Sequence, residues 1–149
     1  MRRVDFMLGG EDFKKMTAAH FMQTDVYYYT ADSGGDKIAT AITMGGFGSV
    51  PIVDKERKLI GIISEFDLLR TIMSGKELEK ITAAEIMTRE IVSVNGEALS
   101  EEIIDVLQRR HLIRVPVVDK DGKLIGIVAR RDILQGYLKS KEAPPPWWF

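Results

Sequence analysis

The chain has 149 residues, enough for one compact domain or two small ones. Hydrophobic residues make up 45% and charged residues 29%, an ordinary balance for a protein with an apolar core. The formal net charge of −1 gives no global field for nucleic acid or a membrane surface. The lack of cysteine excludes disulfides, and no apolar run approaches the roughly 18 residues of a membrane span. We expect a soluble, cytoplasmic protein without a membrane partner.

An internal repeat dominates the sequence. Residues 50–63 read VPIVDKERKLIGII and reappear at 115–128 as VPVVDKDGKLIGIV, an offset of 65 residues. The same offset continues without a gap from about residue 14 to residue 69, which indicates a duplication. We divide the chain into an N-terminal extension (1–13), a first repeat (14–75), a second repeat (76–138) and a Pro- and Trp-rich tail (139–149).

Each repeat predicts the element order α-β-α-β-β-α. Thr17 and Thr82 suit the N-cap of a short helical turn, and a short strand follows at 26–29 and at 91–94. A helix comes next. In the second repeat its apolar face consists of residues at helical spacing, namely Leu99, Ile103, Val106 and Leu107.

The last part of each repeat predicts two strands around a turn, followed by a helix. In the second repeat the turn contains Asp121 and Gly122, a strong hairpin signal. The final helix begins at 64–67 or at 129–132. A three-stranded sheet with one helical face is marginal alone. We therefore expect an α+β fold in which two units, related by pseudo-twofold symmetry, pack through their sheets.

These features resemble the CBS domain family, in which two units form a Bateman module. The resemblance rests on the apolar-Pro-apolar-Val-Asp strand, the Leu-Ile-Gly-Ile strand and the Asp three residues into the next helix, and it covers roughly residues 14–138. It implies an adenosine-type ligand (AMP, ADP, ATP or S-adenosylmethionine) in clefts between the repeats. It also implies a homodimer and a regulatory role towards a protein partner that the sequence does not name.

The resemblance places the ribose-binding carboxylate at Asp67 and Asp132. The pattern Ser64-x-x-Asp67 also fits a helix-capping box, so Asp67 has a structural interpretation as well. In the second repeat Ala129 replaces the serine and breaks the box, yet Asp132 remains, which favours ligand contact there. Ser64 matches the Ser/Thr of the family motif and is a candidate contact to ribose or phosphate.

Positive charge is concentrated in the second repeat. Arg114, just before the Val-Pro strand, matches a place where the family often has a basic phosphate contact. Arg130 lies at the start of the final helix, and its planar guanidinium, like that of Arg114, suits phosphate oxygens. A solvated cluster is the alternative for both. We expect one competent phosphate site and one weak or empty site.

Tyr28 and Ser93 share a position near the place where the family binds the base. Tyr28 could stack on adenine, or it could fill the pocket and close the first site.

Catalysis and metal binding are not expected. His20 and His111 have no second ligand at metal spacing, and no nucleophile–base constellation occurs. An alternative function is a dimerisation scaffold without a nucleotide, with Pro144–Phe149 docking on a partner. Nucleic-acid binding through the arginines is the least favoured reading, because the net charge is near zero.

Overall fold

A computed structural model of the chain describes residues 9–143 and 146–148. The first repeat contains α1 (Ala18–Phe21), β1 (Tyr29–Thr30), α2 (Gly35–Gly45), β2 (Ser49–Val53), β3 (Leu59–Ser64) and α3 (Glu65–Met73). The second contains α4 (Ala83–Ile86), β4 (Val94–Asn95), α5 (Ser100–Arg109), β5 (Arg114–Val118), β6 (Leu124–Ala129) and α6 (Arg130–Ser140). The predicted element order and the α+β class are confirmed.

Each repeat forms a three-stranded sheet, with strand order β1-β2-β3 or β4-β5-β6. β1 is parallel to β2, with Tyr29 opposite Ile52, and β2 is antiparallel to β3. β4 and β5 repeat the parallel pairing, with Val94 opposite Val117. The turn predicted at Asp121-Gly122 is present between β5 and β6. Gly122 has a φ of 82°, in the left-handed region that glycine adopts without strain.

The first strand of each repeat is shorter and later than predicted. We expected strands at 26–29 and 91–94, whereas β1 begins at Tyr29 and β4 at Val94. The physical reason lies just upstream. Gln23 and Thr88 are hydrogen-bonded to strands other than β2 and β5, so the next few residues connect two sheets and do not extend either one.

Two compact units make up the chain, and neither is a continuous repeat. The first-repeat unit consists of residues 27–91 with 121–124. The second-repeat unit combines the described residues up to Val26 with 92–120 and those from Ile125 onward. The leading segment of the first repeat (14–26) therefore belongs to the second-repeat unit. The leading segment of the second repeat (79–91) belongs to the first-repeat unit.

Each leading segment completes the sheet that it joins. The Gln23 N–H donates to the Ile127 carbonyl at 2.8 Å, and the Ile127 N–H donates back at 3.0 Å. Thr88 and Ile62, one offset away, form the same pair at 2.8 and 3.0 Å. Since β3 and β6 are edge strands, this antiparallel bridge gives each edge a partner.

The leading segments also fill the cores. Phe21 and Met22 are buried in the second-repeat core with the residues Ile103, Val115, Val117 and Val128. Met87 is buried in the first-repeat core with Ile38, Ile52 and Ile63. A Cβ at Gly61 would overlap Met87, and one at Gly126 would lie 2.6 Å from Met22 Sδ. A side chain at either glycine would therefore force the packed methionine to shift, and at Gly126 it would also crowd the Gln23 carbonyl oxygen at 3.0 Å.

The structure describes only parts of the N-terminal extension and the C-terminal tail. Residues 1–8, Pro144, Pro145 and Phe149 lie outside the described residues, and so does most of the segment predicted to dock on a partner. Pro146–Trp148 form a 3-10 turn in which Trp147 is exposed. Within the described ranges, no helix combines the length and the apolar character that crossing a bilayer requires.

Replacing Gly126 by Ala is expected to lower the free energy of unfolding by about 1–3 kcal/mol, because the added methyl overlaps Met22. Gly96→Ala is the matched control, since its Cβ would meet no atom closer than 3.5 Å. Equilibrium urea denaturation of both variants measures the difference. An equal, small loss in the two variants would show that the methionine does not impose the glycine.

Candidate functional site

Asp67 lies at the start of α3 and is buried, with 6% of its surface exposed. Its Oδ2 accepts the Ser64 backbone N–H at 2.8 Å and the Ser64 hydroxyl at 3.0 Å. The Ser64 hydroxyl accepts the Asp67 N–H at 3.2 Å. The capping box suggested by the sequence is therefore present, and it engages the ligand candidates Ser64 and Asp67 with each other.

Two further donors reach the other oxygen of Asp67. The Arg70 guanidinium, one helical turn on, forms an ion pair with Oδ1, and the Thr88 hydroxyl donates to the same atom at 3.3 Å. Neither donor was among the residues expected from the sequence. Arg70 had a signal, because oppositely charged residues three apart on a helix pair readily. Thr88 had none, because its segment comes from the other repeat.

Asp132 occupies the equivalent place at the start of α6 and is 2% exposed. Its Oδ2 accepts the Ala129 N–H at 2.9 Å, which matches the Ser64 N–H bond in the first repeat. Ala129 has no hydroxyl, so the reciprocal half of the capping box is missing. The first turn of α6 still carries backbone N–H donors and the positive end of the helix dipole, both of which favour an anion.

Arg130 and Arg114 lie close to this helix start. The Arg130 N–H donates to the Ile113 carbonyl at 2.9 Å, and its Nε donates to the Leu112 carbonyl at 2.5 Å. Arg114 follows Ile113 directly and begins β5, half-buried. The structure thus brings Arg114, Arg130 and Asp132 to the edge of the sheet where β5 begins and β6 ends.

Ser93 and Tyr28 precede β4 and β1, and both are exposed. Within the described residues, the ring contact of Tyr28 is with Arg57, whose guanidinium lies 4.8 Å from the ring centroid. Arg57 has a φ of 70° in the β2–β3 turn, at the position of Gly122 in the second repeat. Tyr28 is therefore held towards this turn, whereas Ser64 and Asp67 lie at the other end of β3.

A second aromatic pair, not anticipated from the sequence, lies nearer to the Ser64 end of the sheet. The rings of Tyr27 and Phe47 are 5.3 Å apart between centroids. The equivalent residues of the second repeat are Val92 and Leu112. The two repeats therefore differ in chemistry as well as in charge near the beginning of the second strand.

One cavity of the described residues is lined by none of the predicted ligand residues. It measures about 750 Å³ and runs between Phe13–Lys14 and α5, where Leu99, Glu101, Ile104 and Asp105 line it. Among the residues that the structure describes, no group of His, Cys, Asp and Glu could hold a metal ion. The ring of His20 accepts the Thr17 N–H at 2.9 Å and so serves as part of a helix cap.

The family model of the CBS domain matches the chain twice, at residues 18–74 and 83–139. These matches cover more than half of the chain and coincide with the two duplicated sheets, so the chain belongs to the CBS domain family. An uncharacterized protein of Methanopyrus kandleri is 37% identical over 100 residues, which are 66% of this chain and 51% of that relative. The chain thus spans about half of that relative's length.

Two solved structures have the same fold. CBSX2 in complex with AMP is 24% identical, with a TM-score of 0.71, and the match covers 83% of this chain and 96% of that one. The CBS domain pair of protein MJ0100, in complex with 5-methylthioadenosine and S-adenosylmethionine, is 22% identical, with a TM-score of 0.70, and covers 85% and 98%. At these identities the likeness shows the fold alone.

The serine that distinguishes the two helix starts allows a reciprocal test. Ser64→Ala is expected to lower the free energy of unfolding by about 1 kcal/mol, because it removes the N-cap of α3. Ala129→Ser is expected to raise it by about 0.5–1 kcal/mol by restoring the missing cap of α6. Urea denaturation measures both. No gain from Ala129→Ser would mean that α6 begins differently from α3.

Proposed function

We propose that this chain is a regulatory module that binds an adenosine-containing nucleotide (AMP, ADP, ATP or S-adenosylmethionine) and signals that binding to a partner protein without catalysing a reaction. The observation that carries the proposal is the start of α6. There a buried carboxylate, a helix N-terminus without a hydroxyl cap and two arginines meet at one edge of a sheet.

Each part of a nucleotide has a counterpart at this edge. Asp132 can accept hydrogen bonds from the two ribose hydroxyls. The N-terminal turn of α6, with Arg114 and Arg130, supplies N–H donors and positive charge for phosphate. Ser93, one strand away, is assigned to the base. The AMP, 5-methylthioadenosine and S-adenosylmethionine held by the two CBS structures support the adenosine class.

The signal can leave the site along α6. The helix begins at the proposed phosphate contact and ends at Ser140, just before the described tail residues 141–143 and 146–148. A ligand that prefers one arrangement of the helix start shifts the population towards it, by as much as its affinities for the two arrangements differ. We propose that the partner protein reads the exposed tail, where Trp147 offers an apolar contact.

A homodimer is part of the proposal. Helices α3 and α6 expose apolar side chains at the same three positions in both repeats, which are Leu69, Ile72 and Met73 in one and Leu134, Tyr137 and Leu138 in the other. Exposed apolar patches mark contact surfaces. The same observation favours the alternative function, a dimerising scaffold that binds no nucleotide.

Calorimetric titration with AMP, ADP, ATP and S-adenosylmethionine separates the two functions. Asp132→Asn keeps an acceptor for the Ala129 N–H but loses the charge, and it should weaken binding at least tenfold. Asp105→Asn is the control, since this exposed carboxylate pairs with Arg109 on α5.

A ligand at 100 times its Kd should raise the free energy of unfolding by about 2.7 kcal/mol.

The nucleotide proposal is contradicted if none of the four compounds binds the wild-type chain. A dimer by sedimentation velocity in the same samples would then favour the scaffold. Equal affinity of the wild type and Asp132→Asn would instead place the ligand elsewhere on the chain.

A further inference from the structure

The cavity between Phe13–Lys14 and α5 is a groove on the second-repeat unit, here called the α5 groove. Phe13, Leu99 and Ile104 give it apolar walls, and Leu99 leaves 48% of its surface exposed. Its volume of about 750 Å³ is in the range of cavities that bind ligands. Apolar side chains exposed in a groove are typical of a contact surface.

The α5 groove is also acidic. Glu101, Glu102 and Asp105 line it, and Lys14 is the cation of its lining. Asp105 pairs with Arg109 at 2.8 Å, which leaves two glutamates against one lysine. A segment that fills this groove should therefore combine apolar side chains with surplus positive charge.

The chain that leads into the groove copies a segment of the first-repeat unit. Residues 9–15 correspond to 74–80 by the 65-residue offset, and both segments end in a 3-10 turn, at Phe13–Lys15 and at Leu78–Lys80. Gly10 and Gly75, one offset apart, have left-handed φ values of 80° and 86°. The repeat therefore extends further towards the N-terminus than residue 14.

The same offset relates residues 1–8 to residues 66–73, which are part of α3. Three apolar residues of the two segments coincide, namely Val4, Met7 and Leu8 with Leu69, Ile72 and Met73. Residues spaced i, i+3 and i+4 share one face of a helix. The sequence of residues 1–8 therefore indicates an apolar stripe, which needs a surface to pack on.

Residues 1–8 cannot take the place that α3 has in its own unit. There α3 packs against α2 and the 3-10 turn at Leu78–Lys80. In the second-repeat unit α6 packs in the same way, against α5 and the turn at Phe13–Lys15. The apolar stripe therefore needs another surface.

Two surfaces lie within reach of Gly9, where the described part of the chain begins. Gly9 packs against the backbone of Glu142, just after α6, so the exposed face of α6 is one of them. Phe13 is at most about 14 Å from Gly9 along the chain, and residues 1–8 span up to about 26 Å when extended. The α5 groove is therefore the other surface.

Charge favours the α5 groove over α6. Arg2 and Arg3 outnumber Asp5 in residues 1–8. The helix α6 exposes Arg131 and is followed by the exposed Lys141, which would repel the two arginines. The glutamates of the α5 groove would attract them.

We propose that residues 1–8 bind in the α5 groove of their own chain. The apolar stripe packs on the walls of the groove, and the two arginines pair with the two glutamates. Since the segment is tethered through Gly9, its effective concentration at the groove is on the order of millimolar, and weak contacts suffice to populate it. This contact needs no nucleotide, so it stands or fails apart from the proposed function.

A nitroxide label at residue 5 tests the contact in the full chain. The chain has no cysteine, so Asp5→Cys gives a single attachment point and keeps the arginines and the apolar stripe. The label should broaden the NMR signals of the α5 amides along the groove, namely Ile104, Asp105 and Gln108. The internal reference is the equivalent set of amides in α2, namely Ala39, Thr40 and Thr43.

Glu101→Lys/Glu102→Lys in the labelled chain should lower the ratio of docked to free segment about tenfold, because two attractions become repulsions. The broadening at Gln108 should fall with it. Glu56→Lys/Glu79→Lys is the matched control, since it changes the net charge equally on exposed residues of the first-repeat unit. Glu101→Gln/Glu102→Gln, which disturbs the start of α5 less, should give a smaller loss in the same direction.

An absence of broadening at Gln108 would overturn the proposal. So would broadening that Glu101→Lys/Glu102→Lys leaves unchanged, since a tethered but undocked segment gives that signal. Broadening at Leu134 and Leu138 with none at Gln108 would place the segment on α6 instead. Broadening at Gln108 in a mixture of spin-labelled chains with unlabelled, isotope-enriched chains would place it in the groove of a second copy.

Discussion

The antiparallel bridge between each leading segment and the last strand of the other repeat is the interaction on which this structure depends. Without Gln23 and Thr88, strands β6 and β3 would have bare outer edges, and small sheets with bare edges are neither stable nor protected from aggregation. The same segments insert Met22 and Met87 into the cores that they join. One repeat alone would lack both its edge partner and part of its core, which gives the duplication a physical reason.

The packing of each leading segment on the other repeat also adds a side chain to a candidate site. Thr88 arrives next to Asp67 only because its segment packs on β3, so a residue of the second repeat contacts the ribose candidate of the first. The two copies have since diverged around a shared frame. The first has a full capping box, an Asp67–Arg70 ion pair and aromatic residues, whereas the second has an open cap and several arginines. The expected difference in phosphate binding follows from these few substitutions.

Much of this could be predicted from the sequence, because the signals were local or repeated. The 65-residue offset located both repeats, and Asp121-Gly122 located a turn. The pairing of each leading segment with the other repeat could not be predicted, because no local pattern specifies it. The partner of Gln23 lies about 100 residues away in sequence, and that of Thr88 lies 26 residues away. The late start of β1 follows from this pairing. Arg57 was missed despite a usable signal, since its repeat partner Gly122 marks a left-handed position. The roles of the site residues stay predictions, because an aspartate at this position can either cap the helix or bind a ligand, and the sequence is the same in both cases.

Amide hydrogen exchange of the full chain, followed by NMR, is the most direct test that each leading segment completes the sheet of the other repeat. The amides of Gln23 and Ile127, and those of Thr88 and Ile62, each donate across a bridge. If the leading segments complete the sheets, both members of a pair exchange slowly and with matching protection, because a bridge opens only when its unit opens. Fast exchange at Gln23 and Thr88, with Ile127 and Ile62 still protected, would contradict it, since the strands would then keep their structure without the segments said to complete them.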